Sequence, residues 1–185
     1  MAVRPVRVYG DPVLRQKARP IAAPDDALRA LVADMRETMH AYSGVGLAAN
    51  QVGELLRVLV VDVPLDDEHR ARYALVNPEI VERSGSEVGE EGCLSIPGVW
   101  EDVTRAQRIT VRALDEWGKP LSFDAEDYLA RAIQHEIDHL DGVLFVDRLS
   151  ALRRQFLRKP LEALARGELP EGYDRPGAHA SEENL

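Results

Sequence analysis

The chain has 185 residues, 45% hydrophobic and 30% charged, a balance that suits one soluble globular domain. Its net charge of -9 argues against the broad basic surface that most nucleic-acid binders need, so no DNA partner is expected. No apolar run approaches the ~20 residues of a membrane span, and the opening "MAVRPVRVYGDPVLRQ", with Pro5 and Asp11, lacks the features of a secretory or transit segment; a cytoplasmic protein is expected.

Leu28, Leu31, Val32, Met35, Met39 and Tyr42 recur at steps of three and four, which predicts an amphipathic helix from Asp25 to Tyr42 capped by Asp25 or Asp26. A Gly-rich turn, "SGVGLAANQVG" (43 to 53), leads into "RVLVVDVP" (57 to 64), short and β-branched like a buried strand. "YALVNPEIVE" (73 to 82) predicts a strand broken at Asn77 and Pro78, and "EEGCLSIPG" (90 to 98) an exposed turn, with an irregular loop at 98 to 104. "RITVRALD" (108 to 115) alternates as a half-buried strand does, and "EWGKP" (116 to 120) is a hairpin turn. A second helix is expected from about Ala125 to Leu140 with Asp124 as N-cap and Gly142 past its end. A third, from about Ala151 to Arg166, should be kinked or divided by Pro160. The expected domain is 1–168, and 169–185, without apolar periodicity, should be a disordered tail.

The chemistry lies in "QHEIDHLDG" (134 to 142). On a helix His135 and His139 share one face with Tyr128 and Ala132, Glu136 sits at its edge, and Leu129, Ile133, Ile137 and Leu140 form a separate stripe. Two imidazoles one turn apart can hold one ion while the intervening carboxylate handles a water, the arrangement of metal hydrolases. An open catalytic site wants a third ligand. Where longer metallopeptidase motifs place a histidine this chain has Phe145; Glu162 or Glu168 could serve, as could Cys93, the only cysteine, since a thiolate with two imidazoles suits Zn(II) or Fe(II).

Three segments together, "GVGLAANQ" (44 to 51), "EEGCLS" (90 to 95) and "QHEIDHLDG", resemble the peptide deformylases, with a weaker match running from residue 6 to about Leu164. The resemblance implies an α+β fold of antiparallel and mixed sheets packed around a central metal-binding helix. It implies Cys93, His135 and His139 as ligands of one divalent ion, Fe(II) by preference, with Zn, Ni or Co as replacements. It further implies Glu136 as proton carrier, with the Gln51 amide and the Leu94 backbone N–H as oxyanion donors. The reaction would be removal of the formyl group from the N-terminal methionine of new proteins. A methionine pocket would be lined by Val45, Gly46, Glu91, Tyr128, Ala132 and His135, with the peptide added alongside as a strand. Arg105 also falls at a family position, where pairing with Glu91 would stiffen the cysteine loop. Asn50, where Thr is frequent, departs from the common pattern. Partners expected from the resemblance are N-formylmethionyl nascent peptides and, through the basic stretch 152–159, transient ribosome contact. A metallopeptidase of the His-Glu-x-x-His type and a metal-binding module without catalysis are the competing readings.

Overall fold

A computed structural model describes residues 2–173. Helix α1, Asp26–Ala41, begins where the Asp25 carboxylate accepts the Leu28 N–H at 2.8 Å, and it ends at Tyr42 as the chain turns through Ser43 with φ +55°. Strands β1 (Gly46–Ala48), β2 (Val58–Pro64), β3 (Arg70–Ser84), β6 (Arg108–Leu114) and β7 (Pro120–Glu126) form an antiparallel sheet in the order β1-β2-β3-β6-β7. Strands β4 (Glu87–Cys93) and β5 (Ile96–Arg105) make a separate hairpin, and helices α2 (Asp127–Leu140) and α3 (Ala151–Ala165) follow.

The run "VLVVDV" is apolar on both sides because β2 is covered on both faces. Leu59, Val61 and Val63 join Leu129, Ile133 and Ile137 of α2, whereas Val58 and Val60 join Leu28, Leu31, Val32 and Met35 of α1. A third cluster ties the hairpin to the C-terminal part: Ile96, Val99 and Val103 pack with Leu144, Phe145, Leu161 and Leu164. Helix α2 therefore lies between the sheet and the hairpin, buried nearly all round from Leu129 to Leu140. The expected α+β architecture around a central helix is what is found.

Several local expectations are corrected. The strand at Asn77 and Pro78 is not broken: β3 continues through a register shift, with Asn77 at φ +51° and its side-chain amide bonded both ways to the Ile21 backbone at 2.8 Å. Helix α2 starts two residues later than expected, with Glu126 rather than Asp124 at the N-cap. Asp124 instead accepts the Thr110 hydroxyl across the β6–β7 ladder at 2.6 Å, so strand pairing claims the residues that helical spacing would have taken. The segment 98–104, expected as loop, is strand, its register fixed in part by Gly92 opposite Trp100: a Cβ on Gly92 would lie 2.6 Å from the indole. Pro160 does not divide α3, because the helix is peripheral and the Phe156 carbonyl that loses its donor belongs to an exposed residue. Leu169, at the head of the expected tail, packs on the third cluster, and 174–185 lie outside the described residues. Among the described residues no helix is long and apolar enough to cross a membrane.

A buried carboxylate joins the edge of this frame. Asp62 of β2 receives Arg70 Nε, Arg72 Nε at 3.2 Å and the His40 ring at 2.9 Å. Burial alone would raise its pKa, but Arg70, His40 and Arg72 hold it below the usual 3.8. A lowered folded-state pKa stabilises the fold above the unfolded value, and the contribution is lost as pH falls through the folded value. Denaturant melts of Asp62→Asn should show a loss of about 1–2 kcal/mol at pH 7, with the gap to wild type closing below pH ~3.8. A gap independent of pH would exclude this role.

Candidate metal centre and active site

Three segments distant in sequence meet beside α2. The helix supplies His135, Glu136 and His139; β4 and the turn after it supply Glu91, Cys93 and Leu94; the Gly-rich stretch around β1 supplies Val45, Gly46 and Gln51. One cavity of about 350 Å³ is lined by all the residues expected there: Val45, Gly46, Gln51, Glu91, Cys93, Leu94, Tyr128, Ala132, His135 and Glu136. His139 sits behind it, Nε2 3.1 Å from Cys93 Sγ.

The candidate ligand atoms of Cys93, His135 and His139 all lie within 4.8 Å of one another. A soft thiolate with two imidazoles fits a Zn(II)- or Fe(II)-type ion, and three protein donors leave a coordination position open. The His135 Nδ1 is engaged by Glu91 Oε2 at 2.9 Å, which leaves Nε2 as the ligand atom. The surroundings act on the two imidazoles in opposite directions. Burial opposes protonation of His135, but Cys93 and Glu91 raise its pKa well above 6.5; burial and the His135 charge push His139 well below. The alternative third ligands are elsewhere: Glu162 faces Arg158 at 3.7 Å and Glu168 holds Arg166 at 2.7 Å, while Phe145 is buried with its ring 6.1 Å from that of His135.

Glu136 is buried, and its Oε2 has no hydrogen-bond partner among the described residues. Burial pushes its pKa up to about 7, against the lowering charge of His135. Gly46 makes room for it: a Cβ there would stand 2.9 Å from Glu136 Cγ and Cδ. Gln51 is aimed by its two ends. Its Oε1 accepts the Ala48 N–H at 2.8 Å, which turns Nε2 toward Ser95 Oγ at 3.2 Å and Cys93 Sγ at 3.7 Å. Asn50, the departure from the common pattern, donates its side-chain amide to the His139 carbonyl and so ties the Gly-rich stretch to α2.

Glu91 carries the electrostatics of the site. Besides His135 it receives Arg105 through Nε at 2.8 Å and Nη2 at 2.9 Å, and Arg131 Nη1 at 2.9 Å. Burial disfavours its charge, but Arg105 and His135 hold its pKa well below the carboxylate range. The Arg105–Glu91 pair expected from sequence is thus buried on both sides rather than solvated. Asp138 extends the network by receiving Arg105 and, at 2.6 Å through both Nε and Nη2, Arg148. Arg131, Gln134 and Asp138 of α2 belong neither to the histidine face nor to the apolar stripe read from the sequence. All three are buried: Arg131 donates to the carbonyls of Glu87, Gly89 and Val103, and Gln134 clasps Ala106. The available signal was their spacing of three and four, a polar stripe that a surface helix does not require.

Partners of this kind orient a metal-binding imidazole, and their loss typically costs 10–100-fold in affinity. Glu91→Gln should therefore weaken metal binding by roughly that factor in a competition titration with a chromophoric chelator. Unchanged affinity would separate Glu91 from the metal site.

Residues 3–155 match the family model described as polypeptide deformylase. A peptide deformylase of Alkalilimnicola ehrlichii is 52% identical over 166 residues, 90% of this chain and 93% of that one. The crystal structure of the Thermus thermophilus peptide deformylase is similar with a TM-score of 0.83 at 45% identity, covering 89% of this chain and 99% of that one. That of Ehrlichia chaffeensis in complex with actinonin gives 0.84 at 40% identity, over 91% and 99%. With the fold, the cavity and the Cys-His-His cluster in agreement, the chain belongs to the polypeptide deformylase family.

Proposed function

We propose that the chain removes the formyl group from the N-terminal methionine of newly made peptides by hydrolysis, in the cytoplasm, with one divalent ion held by Cys93, His135 and His139. The observation that carries this reading is the convergence of the Glu136 carboxylate and the Gln51 amide on the cluster of candidate ligands at the wall of one cavity. When bound, the ion would supply a Lewis acid and lower the pKa of water toward neutrality. Fe(II) is our preferred ion, with Zn, Ni or Co as replacements.

Glu136 accepts a proton from the attacking water, a task for which a carboxylate raised to about 7 by burial is suited at neutral pH. As the water oxygen joins the formyl carbon, negative charge grows on the carbonyl oxygen. The Gln51 Nε2–H and the Leu94 backbone N–H donate to that oxygen; Gln51 Nε2 is already oriented by the bond at its other end. Glu136 then passes its proton to the amine nitrogen as the C–N bond breaks, releasing formate and a free N-terminus.

Formyl carries hydrogen where acetyl carries a methyl group. With Gly46 close against Glu136 and the Leu94 side chain against Gly44, the floor of the cavity favours the smaller acyl group. Val45, Gly46, Glu91, Tyr128, Ala132 and His135 line the pocket assigned to the methionine side chain. The exposed basic stretch 152–159 on α3, with Arg153, Arg154, Arg158 and Lys159, supports transient contact with ribosomal RNA.

Protein purified without oxygen and loaded with Fe(II) should release formate from formyl-Met-Ala-Ser. Glu136→Ala should lower kcat by about 10²–10⁴ while binding the ion as the wild type does. Equal formate release by the two proteins would overturn the assignment of Glu136, and none from either would overturn the activity.

A further inference from the structure

The family match ends at residue 155 and α3 at Ala165, yet the wall of the cavity includes Tyr173. Three contacts bring it there. Leu169 packs on the cluster containing Val99 and Val103 of β5. Pro170 lies against Gly98, where φ is +78° and an added Cβ would come within 2.9 Å of Pro170 Cγ. The Tyr173 N–H donates to the Pro170 carbonyl at 3.1 Å, closing a turn in which Gly172 has φ +76°. The segment 169–173 thus straps onto β5, and half-buried Tyr173 joins Gly98, Val99 and Trp100 in lining the cavity.

Trp100 is the other feature that the catalytic account leaves unused. Its indole lies over Gly92, one residue from Cys93, yet it is 64% exposed. Unlike the similarly exposed Trp117 and Phe156, it lines the cavity, where its ring offers a bound peptide a large apolar face to cover.

We propose that Tyr173 and Trp100 form an apolar subsite for a side chain downstream of the methionine, so that this chain favours peptides with a bulky apolar residue there. The proposal rests on the deformylase reading for its ligand, and on the position of Tyr173, outside the matched family region, for its content. Both residues act in binding, touching the peptide away from the bond that is cut.

The test compares full-length protein with Tyr173→Ala, Tyr173→Phe and Trp100→Ala on three peptides: formyl-Met-Ala-Ser, formyl-Met-Phe-Ser and formyl-Met-Ala-Phe. Partial burial of an aromatic side chain is worth roughly five-fold in affinity. Tyr173→Ala should therefore raise KM for at least one phenylalanine peptide about five-fold relative to formyl-Met-Ala-Ser, with kcat changed less than two-fold. Trp100→Ala should act on the same peptide, and Tyr173→Phe should keep the wild-type ratio. Equal KM changes on all three peptides, or none, would overturn the subsite while leaving the deformylase reading intact. Absence of formate from every peptide with wild-type protein would overturn both.

Discussion

The site depends on one buried carboxylate. Glu91 lies on the hairpin that carries Cys93 and accepts from His135, Arg105 and Arg131 at once, so a single group couples the cysteine strand to the histidine helix. An ion pair buried on both sides is not a large source of stability, because desolvation offsets much of the attraction. Its value here is geometric. Removing either partner leaves an uncompensated charge under the metal site, so the ligand atoms are held near one another before any ion arrives. Arg105 and Asp138 pass the constraint outward to Arg148, beyond the end of α2.

The rest of the fold presents three short segments to that point. The two-faced burial of β2 fixes the sheet between α1 and α2; β1 pairs with β2 and brings Gly46 against Glu136. Asn50 then fastens the Gly-rich stretch to the carbonyl of His139. Each group proposed to be catalytic is therefore positioned by backbone that is itself packed, as preorganised electrostatic catalysis requires. The buried Glu136 Oε2 is among the side-chain atoms without a hydrogen-bond partner within the described residues, as are Asn50 Oδ1 and His139 Nδ1 beside it, and in the function proposed above it is the group that moves a proton.

Much of this was legible in the residues. Helix α1 announced itself by period and cap, and the histidine face of α2 by the spacing of His135 and His139 with Tyr128 and Ala132. Cys93, the only cysteine, was a candidate from its chemistry beside two imidazoles, whereas Gln51 and Leu94 became candidates through the resemblance, because no local pattern says which amide will fold back onto a helix about forty residues or more away. What escaped was set by pairing across the chain. The β4–β5 hairpin has glycines and glutamates where alternation should be, and its register depends on an indole over Gly92. Arg131 reads as a surface cation until the hairpin carbonyls close around it. Asp124 has the chemistry of a helix cap, but Thr110 and the β6–β7 ladder hold it in a strand.

The central claim is that one thiolate and two imidazoles, drawn from two elements, hold a single ion beside Glu136. X-ray absorption at the metal edge of the loaded protein tests it most directly. One sulfur and two nitrogens in the first shell, with the sulfur lost in Cys93→Ser, is the result the structure predicts. A shell of nitrogen and oxygen alone, identical in wild type and Cys93→Ser, would contradict it.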